Sequence, residues 1–295
     1  MSSGYYSIRD LEKLTDIKAH TIRIWEKRYG IINPKRTCTN IRTYCDEDLK
    51  RLLNIAILKN NGLKISQIAL LSEAELNEKV INLTNKITDT ESRIGTLILA
   101  MIEFDEIRLD KIFSTLVINY GFEDTIIDII IPLFEKIGIL WQTGSIDSVH
   151  EHFFSNFIRQ KLIIAIDGCI SKENITNPKK FLLFLPESEI HELALLIYSY
   201  IIKKRGHKVI YLGRSVPVNK LKNITSVIDF DYMLVSSIYN IPMNKYIYSL
   251  SEMFHDIKIF ISGYYIRNNE DITPSNIKIL KSFRDFSNET FLQLN

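Results

Sequence analysis

The sequence predicts a multidomain chain of mixed α and α/β class: a winged helix-turn-helix first, a four-helix bundle next, and an open parallel α/β sheet last. Three observations predict it. Two short helical patterns near the N-terminus run into a polar, cationic hairpin. Between Leu76 and about Ile170, apolar residues recur at helical intervals of three and four. Beyond Phe181, short apolar runs alternate with helix-like stretches, the pattern of parallel strands joined by crossover helices.

With 295 residues, 46% of them hydrophobic, the chain is long enough for two or three separate cores. The opening Met-Ser-Ser-Gly-Tyr-Tyr lacks a basic region before an apolar run, and later apolar stretches are broken by charge before they could span a bilayer. A soluble, cytoplasmic protein with no membrane partner is expected. Cys38, Cys45 and Cys169 have neither paired nor metal-ligand spacing, so they read as ordinary thiols of a reducing compartment. The net charge of +2 is uninformative, but Met1 to Lys64 holds 13 Lys or Arg against 7 Asp or Glu, a local excess of +6.

The first helix is expected from about Ser7, whose hydroxyl can cap it, to Thr15. Ala19 to Tyr29 reads as the second, stopped by Gly30. On it His20, Thr21, Arg23 and Lys27 can face outward, while Ile22 and either Trp25 or Ile24 pack inward. Arg23 and Arg28 suit bases or phosphates, although a basic helix face is often only solvated. The stretch Ile32 to Tyr44 is a polar hairpin carrying Lys35, Arg36, Arg42 and Tyr44, a wing able to grip phosphates, and a further helix opens at Asp46.

Taken with Pro34, Asn40 and the helical Lys64 to Leu71, residues 1–75 resemble the MerR family of winged-helix transcription regulators. The resemblance implies that Arg23 and Arg28 belong to the recognition helix and Arg36, Asn40, Arg42 and Tyr44 to a DNA-gripping wing, with Trp25 in the small core beneath. It also implies double-stranded DNA as partner, read at a near-palindromic operator by paired copies.

Residues 76–170 form the expected bundle, with polar breaks near Asp105 to Asp110 and Tyr120 to Asp124, and with Ser145 as cap of the last helix. Ser171 to Lys180 is the clearest hinge. By itself Trp141 reads as core, and His150 and His152, two apart on a helix, face different directions and make no metal site of their own.

Residues 180–295 are expected to supply strands at Phe181 to Leu185, Val209 to Leu212, Tyr232 to Ser236 and Ile257 to Ile261. Helices are expected at Leu193 to Lys204, Pro217 to Ile228 and Asn244 to Phe254. Ligands of such sheets sit beyond the carboxyl ends of the strands, where Glu189, His191, Ser236 and Gly263 fall. A lone histidine after a strand is ordinarily a surface or core residue, but an acid two positions earlier can fix its tautomer for metal ligation. Neither a phosphate-binding glycine motif nor a Ser-His-Asp array, paired carboxylates or a hydrolytic zinc motif is present, so no enzyme is expected.

In order and spacing, Glu189-Ile190-His191, Ser236-Ser237-Ile238 and Ser262-Gly263 resemble the signature of the Rossmann-like cobalamin-binding fold. That resemblance implies His191 as lower axial ligand to cobalt, Glu189 orienting its other ring nitrogen, and Ser236, Ser262 and Gly263 lining the slot for the displaced nucleotide tail. Ala194, Ile238 and Ser262 stand where glycine, leucine and glycine are usual. Trp141, followed after nine residues by Glu151-His152, resembles the motif of the bundle that caps adenosylcobalamin in light-responsive MerR-type repressors of the CarH and LitR groups. Trp141 and Glu151 would then cover the upper corrin face with His152 beside them, while Gln142 occupies a position where light-sensing members tend to carry a histidine. The implied protein is a DNA-binding regulator, homodimer or homotetramer, whose assembly answers to adenosylcobalamin and light. Its rivals are a regulator that keeps the shape, has lost the cofactor and answers to protein partners, and a corrinoid carrier for methyl transfer, in which a DNA reader would have no use.

Overall fold

The structure is a computed structural model that describes residues 6–37, 40–84, 90–142, 148–169, 177–222, 224–238, 243–263 and 274–289. It divides into two compact units, Met1–Phe157 and Ile158–Asn295. No helix among the described residues is long and apolar enough to cross a membrane.

The first unit opens with α1 (Ile8–Thr15), started by a reciprocal capping box: the Asp10 amide donates to the Ser7 hydroxyl and the Ser7 amide to the Asp10 carboxylate. Helix α2 (Ala19–Tyr29) ends at Gly30, whose φ of 62° is the left-handed turn that lets its amide return to the Glu26 carbonyl. A two-residue hairpin, β1 (Lys35–Arg36) and β2 (Arg42–Thr43), follows, and a bridge between Tyr6 and Tyr44 ties its exit to the start of the chain. Helix α3 (Asp46–Asn60) is buried from Leu52 to Leu58 because α1, α5 and α6 all pack on it. The expected helix at Lys64 to Leu71 is a single turn, α4 (Ile65–Ile68), before α5 (Glu73–Thr84).

Four rods then build the bundle: α6 (Thr90–Ile102), α7 (Glu106–Tyr120), the run α8 (Phe122–Thr125) to α9 (Ile131–Gln142), and α10 (Ser148–Asp167). Asp105 caps α7 by accepting from the Arg108 amide. Between α8 and α9 the backbone widens into a π turn at Ile126–Ile130, where the Ile131 amide reaches Ile126. The cause is Pro132, which has no amide to donate and whose ring would crowd an ordinary turn. Phe113 meets Phe122 and Phe157 edge-on, and Phe134 packs on Phe154. The proposed cap at Ser145 and most of the hinge at Ser171 to Lys180 lie outside the described residues.

The second unit holds a five-stranded, all-parallel sheet in the order β4-β3-β5-β6-β7: β3 (Lys180–Pro186), β4 (Lys208–Val216), β5 (Tyr232–Ser236), β6 (Lys258–Ser262) and β7 (Ile277–Leu280). One face carries Leu182, Phe184, Met233, Val235, Ile259 and Ile261 into a core with α13 (Met243–Met253) and its flanks. The other carries Phe181 and Phe260 against α11 (Leu193–Lys204) and α14 (Phe283–Ser287), where Phe286 meets both rings. Strand alternation puts Ser236 and Ser262 on this second face, and they are register partners at the carboxyl ends of neighbouring strands.

Two expectations are corrected here. Pro217 to Ile228 is not one helix but a turn of α12 (Val218–Leu221) and a 3-10 turn at Ile224–Ser226, because Asn, Thr and β-branched residues dominate that stretch. The second strand is longer than expected, running through Gly213 and Ser215, both at positive φ, where its register with β3 slips.

Candidate cofactor and nucleic-acid sites

On α2, Ile22 and Trp25 are buried, which turns Arg23, Ile24, Lys27 and Arg28 to solvent. Arg23 and Lys27 stand one turn apart on this face, and the Arg28 guanidinium lies over the Tyr29 ring. In the wing, Arg36 donates to the Asn40 side-chain oxygen at 2.6 Å, and Asn40 takes the left-handed conformation that turns the hairpin. Arg42 lies half-buried, its Nε 3.1 and 3.2 Å from the two Glu26 oxygens, so it ties wing to helix. Tyr44 departs from expectation: it is 0% exposed and its hydroxyl has no hydrogen-bond partner among the described residues. Burial first, then the Glu26 charge, pushes its pKa up to about 12. Tyr44 is therefore a core residue under the wing, not a phosphate contact. Nothing in its local sequence separates the two roles; the distant pairing with Tyr6 does.

In the second unit, the loop after β3 is built around one carboxylate. Glu189 is 1% exposed. Its Oε1 accepts from the Ile190 and His191 amides, both at 2.9 Å, and lies 2.7 Å from His191 Nδ1. Its Oε2 accepts from the Ser237 hydroxyl at 3.1 Å and the Ile238 amide at 2.7 Å. The acid is thus held from both its own loop and the loop after β5, and the His191 side chain, 45% exposed, is held at its edge. With Nδ1 donating to the carboxylate, the imidazole lone pair lies on Nε2, the tautomer suited to an axial metal ligand. This donor set fits the cobalt of a corrin.

Glu192 anchors the other side of the same loop: Tyr211 donates to it at 3.0 Å, and Arg159 and Arg214 lie 3.3 and 3.6 Å away. Burial, reinforced by the Glu192 charge, raises the Tyr211 pKa. Sequence reasoning missed this cluster and also missed Ser237, the serine of the pair that touches Glu189. Period-two alternation along β5 was the available signal for it.

The slot positions are different. Ser236 and Ser262 are both buried. The Ser262 hydroxyl accepts from the Tyr198 hydroxyl at 2.8 Å, and its carbonyl accepts from the Ser237 amide. Its polar groups serve the fold, which corrects the expectation of a side chain that lines an open slot. A Cβ on Gly263 would lie 1.8 Å from the Ser237 carbonyl oxygen, so glycine is required there by the crossing of two backbones. In the first unit, Glu151 ends the first turn of α10 and His152 follows it, with 3.6 Å between carboxylate and ring. Trp141 belongs to the last turn of α9, and its side chain lies outside the described residues.

Comparison with known proteins gives two family matches: a MerR HTH family regulatory protein at residues 6–75 and a B12 binding domain at residues 94–165. The chain is similar to the HTH-type transcriptional repressor CarH of Myxococcus xanthus, at 24% identity over 81% of this chain and 80% of that one. It is also similar to the repressor CarA of the same organism, at 26% identity over 73% and 70%. Among solved structures, the Methanosarcina barkeri monomethylamine corrinoid protein aligns with a TM-score of 0.49 at 9% identity, covering 73% of this chain and 98% of that one. The chain thus joins a MerR-type HTH domain to a B12-binding domain on one polypeptide, and as a whole it resembles the CarH-type repressors.

Proposed function

We propose that corrinoid occupancy at His191 controls DNA binding by changing the oligomeric assembly of the chain, with residues 1–75 as reader, 76–170 and 180–295 as the ligand-responsive part. The observation that carries this reading is the 2.7 Å contact between His191 Nδ1 and a buried Glu189 carboxylate that is anchored from a second loop. Such an anchor holds the ring in one tautomer and one direction. Cobalamin, when bound, supplies a metal centre whose upper ligand can be present or absent. Adenosylcobalamin is the proposed form and light the proposed trigger. Trp141, Glu151 and His152 are further proposed contacts, and Ser236 and Gly263 shape the strand ends beside the histidine loop.

On the DNA side, Arg23 and Arg28 are the proposed base or phosphate contacts of α2, and Arg36 and Asn40 those of the wing, with Arg42 holding wing to helix. Pairing two readers in a homodimer or homotetramer matches a near-palindromic operator. The protein acts as a cytoplasmic regulator and not as a catalyst. To move the reader from mostly bound to mostly released, the ligand must prefer one assembly by roughly 5 kcal/mol.

A second reading, a regulator that keeps the fold without the cofactor and answers to protein partners, is favoured by the Tyr198–Ser262 contact. Preparation with adenosylcobalamin in darkness separates the two. Retained corrinoid that is lost in His191→Ala, together with a mass and an operator affinity that change on illumination, supports the first reading. No retention by the wild-type chain of any corrinoid, with or without the nucleotide tail, supports the second.

A further inference from the structure

We propose that Tyr198 occupies the place of the corrinoid's nucleotide tail, so that this chain prefers a corrinoid without that tail to complete cobalamin. The proposal rests on the corrinoid reading above and sharpens what is bound. By family resemblance the tail slot belongs to Ser236, Ser262 and Gly263. The first two project from register-paired strand ends on the α11 side of the sheet. That side is filled by the protein itself. Tyr198, 1% exposed, reaches from α11 to the Ser262 hydroxyl at 2.8 Å. Its ring lies 4.7 Å from Phe283 and meets Phe286 edge-on at 5.1 Å. Phe286 in turn packs on Phe181 and Phe260, so the phenol closes a continuous aromatic layer between α11, α14 and the sheet.

One departure from the family pattern, Ser262, has a structural counterpart here in Tyr198. A phenol buried among aromatic rings is costly unless its hydroxyl has a partner. Serine at position 262, where glycine is usual, supplies that partner. With glycine there, the hydroxyl would lose this acceptor; with a small residue at 198, the serine would lose its donor. The pair therefore reads as a matched filling of the slot. The His191 loop is untouched by it, since Glu189 is held by Ser237 and Ile238 on their own backbone and hydroxyl groups. Axial ligation and tail acceptance are thus separable in this chain, and only the second is obstructed.

Titration of the full-length protein with cobinamide, which lacks the nucleotide, and with hydroxocobalamin, followed by absorbance, tests this directly. The wild-type chain is expected to bind cobinamide at least about tenfold more tightly, the factor that corresponds to displacing one buried hydrogen-bonded side chain. Tyr198→Val is expected to bring cobalamin up to the cobinamide affinity while leaving cobinamide unchanged. Tyr198→Phe keeps the ring and is expected to keep most of the preference, which holds the test open should the valine variant fold poorly. Equal affinity of the wild type for both corrinoids, or loss of the preference in Tyr198→Phe, overturns the filled slot and leaves the corrinoid reading standing. Binding of neither corrinoid by wild type and variants overturns that reading and this proposal with it.

Discussion

Arg23, Lys27 and Arg28 stand exposed on one helix, each reaching solvent independently, whereas Glu189 is buried with both oxygens engaged by groups from two loops. The difference is one of cooperativity. Exposed cations act nearly additively through phosphates and are screened by salt. A buried acceptor serving several donors fails as a unit, because each donor it abandons remains out of water.

The largest effect should come from the backbone crossing that supports the His191 loop. Gly263→Ala places a carbon 1.8 Å from the Ser237 carbonyl. The loop after β5 must then move, at a cost of about 3 kcal/mol or more. Denaturant unfolding should show that loss together with a broadened or separate transition for the second unit; unchanged stability would mean that the two backbones do not cross so closely. Glu189→Ala comes next, at about 3 kcal/mol, since it strands the Ile190, His191 and Ile238 amides and the Ser237 hydroxyl. Glu189→Gln, which retains an acceptor oxygen, should lose less. If alanine and glutamine unfold alike, the carboxylate is not the common anchor.

The reader should answer differently. Arg28→Ala is expected to weaken operator binding by about 1 kcal/mol and, if the side chain contacts a phosphate, to reduce the salt slope by about 1. A fluorescence titration at several salt concentrations measures both. A complete loss of binding would contradict additivity and place Arg28 in a coupled network like that of Glu189.

Much of this contrast was legible in the residues. Ser7 before a helical run, and Gly30 after one, carry their local geometry in their chemistry, and the serine cap and left-handed stop are where they should be. Glu189 and His191 are close because they are two apart on one loop. What escaped notice depends on partners distant in sequence. Ser237, not Ser236, meets Glu189, because strand alternation turns Ser236 to the α11 face. Tyr198 lies within the apolar run of α11, and the partner that gives its hydroxyl a role, Ser262, belongs to another element. Strand β7 and α14 lie after the last element expected from pattern, although Ser282 caps α14 in the recognisable way, its hydroxyl accepting from the Asp285 amide. Tertiary pairing, not local propensity, decides such cases.

Tyr44 gives the smallest effect and the sharpest check on where the reader's surface ends. Its hydroxyl is buried without a partner among the described residues, so Tyr44→Phe removes a desolvated polar group and nothing that it bonds to. Stability near neutral pH should change by no more than about 0.5 kcal/mol, with a gain as the favoured sign, and operator affinity should hold. The alkaline limb should respond more. The folded-state pKa is raised from 10.0 to about 12. The proton is therefore held more tightly in the folded chain, and the associated stability is complete below pH 10 and lost as pH rises toward 12. Tyr44→Phe should flatten that decline, whereas Arg36→Ala on the exposed wing should leave it unchanged and weaken DNA binding instead. A Tyr44→Phe variant that loses operator affinity at neutral pH would return the tyrosine to the DNA-contacting surface and move the boundary between core and wing.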